Sequence, residues 1–451
     1  MPALVGLHFE PLFCPISPLA DRHGPPAFFF LLLCYNGKMP HRLKFPSAVM
    51  AITAAGTLAM AGYEMVRSSA ASVFLAHHSA ARLPEALMLV PLAMFAFTWL
   101  FSMSLKHLGA ARTFIATLLL SALVLAAAAT AVLRGVPGAP FLLYIFGQAY
   151  IVFIVEEVWA FINSLFVPDQ GKRWNGVIIA VSTAGSVTGG ILTGRLSVGI
   201  GSERIVWIAA GLTAAASILG WLAFRLAGTP PVPPDRPPVK LADHFAWDLL
   251  RTGPTIRRLA LIVVAAQSVA VLLDIAFHQA LQARVPLQDP RTALLGYFWS
   301  AVNLFALVLQ LGACPFLLSR VPLRRIHAGI PLLFGLAALG AVAFPVLPVL
   351  AVVFFISKTV DYSVFRAAKE VLYIPLSFTA RYRAKMTVDA LIYRSSKGVV
   401  SGLLSFSGRA FGLLPLRLYP LLVVLVCGAW NRFTRGLPEP SQKAETDFRD
   451  A

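Results

Sequence analysis

Ten ionisable residues stand out inside the apolar stretches of this chain: Glu64, Arg67, Glu156, Glu157, Asp274, Lys358, Asp361, Asp389, Arg394 and Lys397. A charge at the centre of a bilayer costs at least about 2.5–3.5 kcal/mol on insertion scales, so such residues face a cavity, pair with one another, or do both. Two pairs are three residues apart, Glu64 with Arg67 and Lys358 with Asp361. That spacing puts both charges on one helix face, where they can neutralise each other. Each pair is then either an aid to insertion or a substrate-facing charge whose partner releases it as the cavity changes shape. Asp274 has no opposite charge in its own stretch and needs a partner on another helix, or a proton. Glu156 and Glu157 project about 100° apart on a helix, so one of the two is expected to face a cavity.

The elements that must carry these charges follow from composition. Of 451 residues, 58% are apolar and 13% charged, where soluble domains average roughly 25% charged. A water-soluble enzyme of two or three domains is thereby excluded. The apolar residues fall in blocks of about 20, the helical length that crosses a bilayer. Period-2 alternation is absent, so each block must satisfy its backbone as a helix and not as a barrel strand. The expected fold is all-α: a polytopic membrane protein of about twelve transmembrane helices.

Twelve spans are expected, at about 46–74, 86–105, 113–133, 141–166, 174–196, 205–227, 259–281, 292–318, 326–345, 347–369, 386–408 and 413–430. A Pro-rich hydrophilic linker, 228–258, divides them into a six-helix half over 46–227 and another over 259–430. That layout suggests two packed halves of the major-facilitator kind, in which spans 1, 4, 7 and 10 line the cavity. Residues 1–45 read as a disordered extension, with translation starting at Met39, and 431–451 as a cytoplasmic tail.

Net charge is +18, and topology accounts for it. With the N-terminus inside, the inside segments hold 25 Lys and Arg and the outside segments 8, the asymmetry expected when both termini are cytoplasmic. Nucleic acid is not implied as a partner; an anionic solute or anionic lipid is a secondary reading of the charge. The inner (plasma) membrane of a bacterium is the expected location. The cysteines, Cys14, Cys34, Cys314 and Cys427, show neither zinc nor disulfide spacing. No phosphate-loop or H-E-x-x-H motif occurs, so neither cofactor, metal nor enzyme activity is expected. Gly185, Gly189, Gly190 and Gly194 form two G-x-x-x-G steps that let helices approach closely. Trp174, Trp207 and Trp430, near span ends, read as interface anchors.

The segment 357–398, SKTVDYSVFRAAKEVLYIPLSFTARYRAKMTVDALIYRSSKG, resembles the signature region of the ATP:ADP antiporter family of bacteria and plastids. The matching residues are Lys358, Tyr362, Ser363, Lys369, Glu370, Tyr373, Ile374, Pro375, Leu376, Lys385, Asp389 and Lys397. WAFINSLFVPDQGKRWNG (159–176) is similar to a second family segment through Trp159, Asn163, Gln170, Lys172, Arg173 and Gly176. LLDIAFHQ (272–279), GYFWSAVNLFALVLQL (296–311) and GYEMVRSS (62–69) resemble three more. The resemblance implies a twelve-helix major-facilitator-like bundle that exchanges nucleotides. Where nucleotide exchangers of the family have a lysine and then an acid in span 1, this chain has Ala70 and Ala71, and the span-4 acid falls at about Gly147.

Together these features lead us to expect a secondary transporter working by alternating access on an anionic substrate, with nucleotide the leading candidate. Arg67, Lys358 and Lys397 are expected to bind negative charge, and Glu157 and Asp274 to pair with them when the cavity is empty. Asp361, Lys369 and Arg394 complete the candidate substrate-binding set. The alternatives are a relative that moves another solute or a lipid, and a non-transporting membrane scaffold.

Overall fold

Between Leu83 and Leu133 the backbone stays helical for 51 residues, far more than the roughly 20 that cross a bilayer. Gly109, at φ +74°, divides this run into two helices, a conformation that costs a residue without Cβ little. The computed structural model describes residues 45–165, 168–228, 247–412 and 414–437. The expected extension over 1–44, the Pro-rich run 229–246 and the end of the tail lie outside the described residues.

The described residues form twelve long helices: α1 (Phe45–His77), α2 (83–108), α3 (110–133), α4 (139–165), α5 (Pro168–Ile200), α6 (Ser202–Ala227), α7 (Pro254–Arg284), α8 (Gln288–Arg320), α9 (Leu323–Ala343), α10 (Leu347–Val371), α11 (378–411) and α12 (Leu418–Thr434). Among the described residues, nine helical stretches are long and apolar enough to cross a membrane, the run through Gly109 counting as one, and Leu418–Thr434 is a shorter apolar helix. Charges set α11 apart: Arg381, Arg383, Lys385, Asp389, Arg394 and Lys397 all lie on it. Part of the expected linker is helical. Trp247–Thr252 forms a short helix and α7 starts at Pro254, where proline's missing N–H is no loss in a first helical turn.

Packing repeats with a six-helix period. In the first six, α1 lies against α5 and α6, and α3 against α6; in the last six, α7 lies against α11 and α12, and α9 against α12. The two sixes meet through α5 with α8 and α2 with α11, again corresponding positions. Glycines permit the α5–α8 crossing. A Cβ on Gly190 would strike Ser300 Oγ and the Gly296 carbonyl, and one on Gly194 the Tyr297 ring. Gly185 and Gly189 meet the backbone of Thr57 and Ala61 on α1 in the same way. The two G-x-x-x-G steps thus serve two neighbours at once.

The apolar core of α7–α12 also takes in Ala71, Phe74 and Leu75 of α1, Leu83, Ala86 and Leu87 of α2, and Tyr144 of α4. The two sixes are therefore fused at the end away from the termini. Lipid-facing positions remain apolar, as at Leu120, Leu123, Ile218, Leu336 and Phe406. Trp207 is exposed, as an anchor should be, but Trp430 is fully buried. It packs edge-on against Phe334 and Phe365, with centroids at 6.0 and 5.4 Å. The interface-anchor reading of Trp430 is thereby corrected: an indole ring has more apolar area to bury between two helices than at the headgroups.

Candidate substrate site between the two sixes

Arg67 of α1 lies at the point where the two sixes touch near mid-membrane. Its guanidinium donates to Glu64 Oε1 at 3.1 Å and to the Tyr362 hydroxyl of α10 at 3.2 Å. It also lies 3.2 Å from the centroid of the Trp299 ring of α8. Asn303 of α8 donates to the same Glu64 oxygen at 3.1 Å. The expected Glu64–Arg67 pair therefore forms, with three side chains from the other six around it. Glu64 is fully buried and Arg67 nearly so, and a buried pair needs such added partners to offset desolvation.

Asp274 of α7 meets His278 Nδ1, one turn on, at 2.9 Å. Lys358 of α10 and Lys397 of α11 both act on Asp274 electrostatically, and Lys397 also feels Lys358 and Arg67. Among the described residues neither lysine has a hydrogen bond or ion pair. The ammonium of Lys358 lies 5.5 Å from the Phe354 ring and 6.0 Å from the Tyr362 ring, so the Lys358–Asp361 pair that the spacing allows does not form. A π-helical segment, Asp361–Phe365, begins there. A second such segment, Leu309–Ala313, faces it from α8, and Gln310 donates to the Tyr362 carbonyl at 2.7 Å. Single π turns inside α-helices frequently mark functional sites.

Arg67, Asp274, Lys358 and Lys397 thus come together. Asp361 lines a small pocket with Lys358 without pairing to it, while Glu157, Lys369 and Arg394 stand apart from this group. Glu157 turns toward α3 and bonds Thr117. Glu156, the neighbouring carboxylate, is the one that interacts with Arg394 of α11, and Arg394 donates to Thr98 of α2 at 3.0 Å. Lys369 and Asp389 pair with each other at 2.7 Å nearer the terminus-bearing end, with the Tyr373 hydroxyl on the same Asp389 oxygen at 3.1 Å. Lys385 pairs with Glu370 alongside them at 2.7 Å. Asn163, Gln170, Lys172 and Arg173 lie outside the described side chains.

Ala70 and Gly147, which stand where the family pattern has charges, face each other. A Cβ at Gly147 would lie 3.4 Å from that of Ala70 and 3.0 Å from Val66. Two small residues pack where two long charged ones would otherwise meet.

Hydrogen bonds across the two sixes concentrate at the end away from the termini. Ser72 of α1 donates to the Gln288 carbonyl at 2.6 Å, and fully buried Arg291 of α8 donates to the Ser72 carbonyl at 2.9 Å. Gln288 donates to Glu203 of α6 at 2.7 Å. Gln282 of α7 donates to the Leu75 and His78 carbonyls at 2.7 and 3.0 Å. Arg409 of α11 reaches Glu85 of α2 at 2.9 Å. The protein is closed at this end.

Sequence reasoning missed His278, Thr117 and the Asp289 and Arg291 contacts. Tyr362, Trp299 and Asn303 lay inside segments that carried the family resemblance, which was their signal. His278 could have been found as a polar residue four positions from Asp274.

No protein-family model matches the chain. It is 23% identical over 341 residues to ADP,ATP carrier protein 2, chloroplastic, of Arabidopsis thaliana, covering 66% of this chain and 54% of that one. It is 22% identical over 337 residues to ADP,ATP carrier protein 1, chloroplastic, of the same plant, covering 66% and 53%. The chain spans about half the length of these curated relatives. Among solved structures it resembles the nucleoside transporter NupG, with a TM-score of 0.66 at 13% identity over 86% of this chain and 99% of that one. It also resembles a bacterial homologue of the iron transporter ferroportin in an inward-facing state (0.59, 14%, 86% and 99%). A third likeness is to a bacterial homologue of the human lysosomal transporter Spinster, inward-facing and unoccupied (0.53, 16%, 91% and 99%). The chain is a multi-pass membrane protein with the fold of major-facilitator transporters. In sequence it is similar to the ADP,ATP carriers, at 22–23% identity.

Proposed function

We propose that the protein is a secondary transporter that exchanges anionic solutes by alternating access, with a nucleotide as the leading substrate. The observation that carries this reading is the pair of ammonium groups, Lys358 and Lys397, which have no hydrogen bond or ion pair among the described residues and lie beside Arg67 and Asp274 where the two sixes meet. Half-buried cations without partners are costly, and an anion entering between them recovers that cost. An empty site keeps its charges unpaired and crosses poorly, so exchange is favoured over one-way leak. Similarity to the ADP,ATP carriers supports the nucleotide. The positive-inside asymmetry supports cytoplasmic termini.

Ligand stabilisation in detergent tests this. A ligand at a hundred times its Kd adds about 2.7 kcal/mol to stability. ATP or ADP is expected to raise the melting temperature of the wild type, adenosine is not, and Lys358→Ala/Lys397→Ala is expected to abolish the shift. A shift with adenosine equal to that with ATP contradicts the anion site.

The Ala70–Gly147 contact favours a second reading, a substrate less charged than ATP. Stabilisation by inorganic phosphate or a monophosphate, and not by ATP, is its signature.

A further inference from the structure

Five exposed residues of α12 and its C-cap line up: Leu421, Leu425, Gly428, Arg432 and Arg435. Steps of four, three, four and three residues put all five on one helix face. That face is apolar over its first half and basic at the end that carries the termini. At 1.5 Å of rise per residue, Arg432 stands about 6 Å beyond Gly428 and Arg435 about 10 Å. A cleft of about 590 Å³ opens there, lined by Gly428, Asn431, Arg432 and Arg435, a volume in the range of small-molecule sites. Gly428 makes room for it, since nothing lies within 4 Å of where its Cβ would be. Among the described residues neither arginine has a hydrogen bond or ion pair.

Positive charge continues on both neighbours. α12 packs against α7 and α9, which start at this end with Arg257 and with Arg324 and Arg325, all exposed. Neither first turn holds an acid. Topology asks for arginines at this end. It does not ask for a cleft beneath two of them, or for exposed leucines leading up to it. Guanidinium forks match phosphate oxygens two at a time, and side chains three residues apart on a helix are neighbours that can share one phosphate. A free phosphate would use the arginines alone, whereas a phospholipid uses the arginines and the leucines.

We propose that this face of α12 binds one anionic phospholipid. Arg432 and Arg435 hold its phosphate, the cleft at Gly428 and Asn431 takes its glycerol region, and a chain lies along Leu425 and Leu421. The site holds whatever cargo passes between the two sixes.

Native mass spectrometry of the full chain in a non-ionic detergent tests this, with phosphatidylglycerol and phosphatidylcholine added in equal amounts. Wild type should retain at least fivefold more phosphatidylglycerol than phosphatidylcholine. Arg432→Gln/Arg435→Gln should lose at least fivefold of that binding. Lys106→Gln/Arg112→Gln, which removes two exposed charges at the same end of the first six, should keep it. Gly428→Leu keeps both arginines and fills the cleft, and should lower binding at least threefold. Equal retention of the two lipids by wild type overturns the proposal, as does an equal loss in both double variants. Excess inorganic phosphate that strips the lipid from wild type assigns the arginines to a free anion and overturns it as well. Binding that appears only with Glu439→Gln, Glu445→Gln, Asp447→Asn and Asp450→Asn together assigns the cleft to the acidic tail instead.

Discussion

Asp289 of α8 closes the first turn of α6, its Oδ1 accepting the Ser202 backbone N–H at 2.9 Å and the Ser202 hydroxyl at 2.6 Å. A carboxylate at a helix N-terminus satisfies donors that the helix leaves open and meets the positive end of its dipole. Here the cap comes from the other six, so the bond must break whenever this end of the protein opens.

Asp289→Ala should therefore favour the state open at this end. Hydrogen bonds to a charged group contribute about 1.5–3 kcal/mol each, enough to shift a two-state population tenfold or more. Spin labels at Arg204→Cys and Leu287→Cys, both exposed at this end, in a chain with its native cysteines replaced by alanine, should report a longer distance distribution with Asp289→Ala. An unchanged distribution removes the latch role.

Arg291 is wholly buried and holds the carbonyls of Ser72, Val285 and Pro286 together. Arg291→Ala leaves these acceptors without their donor, and each unsatisfied buried group costs about 1–3 kcal/mol. A large fall in melting temperature in detergent is expected. Ser72→Ala, which removes one hydroxyl, should cost less.

At the α5–α8 crossing even one methyl is too many. Gly190→Ala places a Cβ against the Gly296 carbonyl, and overpacking of this kind costs about 1–3 kcal/mol. Gly199→Ala, on the same helix with open space around it, is the control and should leave the melting temperature unchanged or raised.

Lys369 and Asp389 should behave as a unit. Lys369→Ala strands a carboxylate that Tyr373 alone cannot satisfy, and Asp389→Ala strands a buried ammonium. Each single change should destabilise more than the pair together, which a double-mutant cycle on thermal stability reads directly. Additive losses contradict the pairing.

Much of this was legible in the residues. Helical spans follow from apolar block length, since hydrocarbon leaves a backbone no alternative. Intramembrane charges are visible because they are expensive, and Arg67, Asp274, Lys358 and Lys397 do converge. What could not be read is which way a side chain turns. Glu157 and Glu156 differ by one position, and neighbours from α3 and α11 decide which meets Thr117 and which Arg394. The π segment at Asp361 is equally hidden, because its register depends on Gln310 of another helix. Trp430 misled because position near a span end says nothing about whether a ring faces lipid or a neighbour.

Counterflow in proteoliposomes tests the central claim most directly. With ADP and phosphate inside and labelled ATP outside, uptake should require internal ADP. It should fall at least tenfold in Lys397→Ala while that variant keeps the wild-type melting temperature without ligand. Uptake that is unaffected by Lys397→Ala, or absent from folded wild-type protein for ATP and for every smaller phosphate tried, would contradict an anion site between the two sixes.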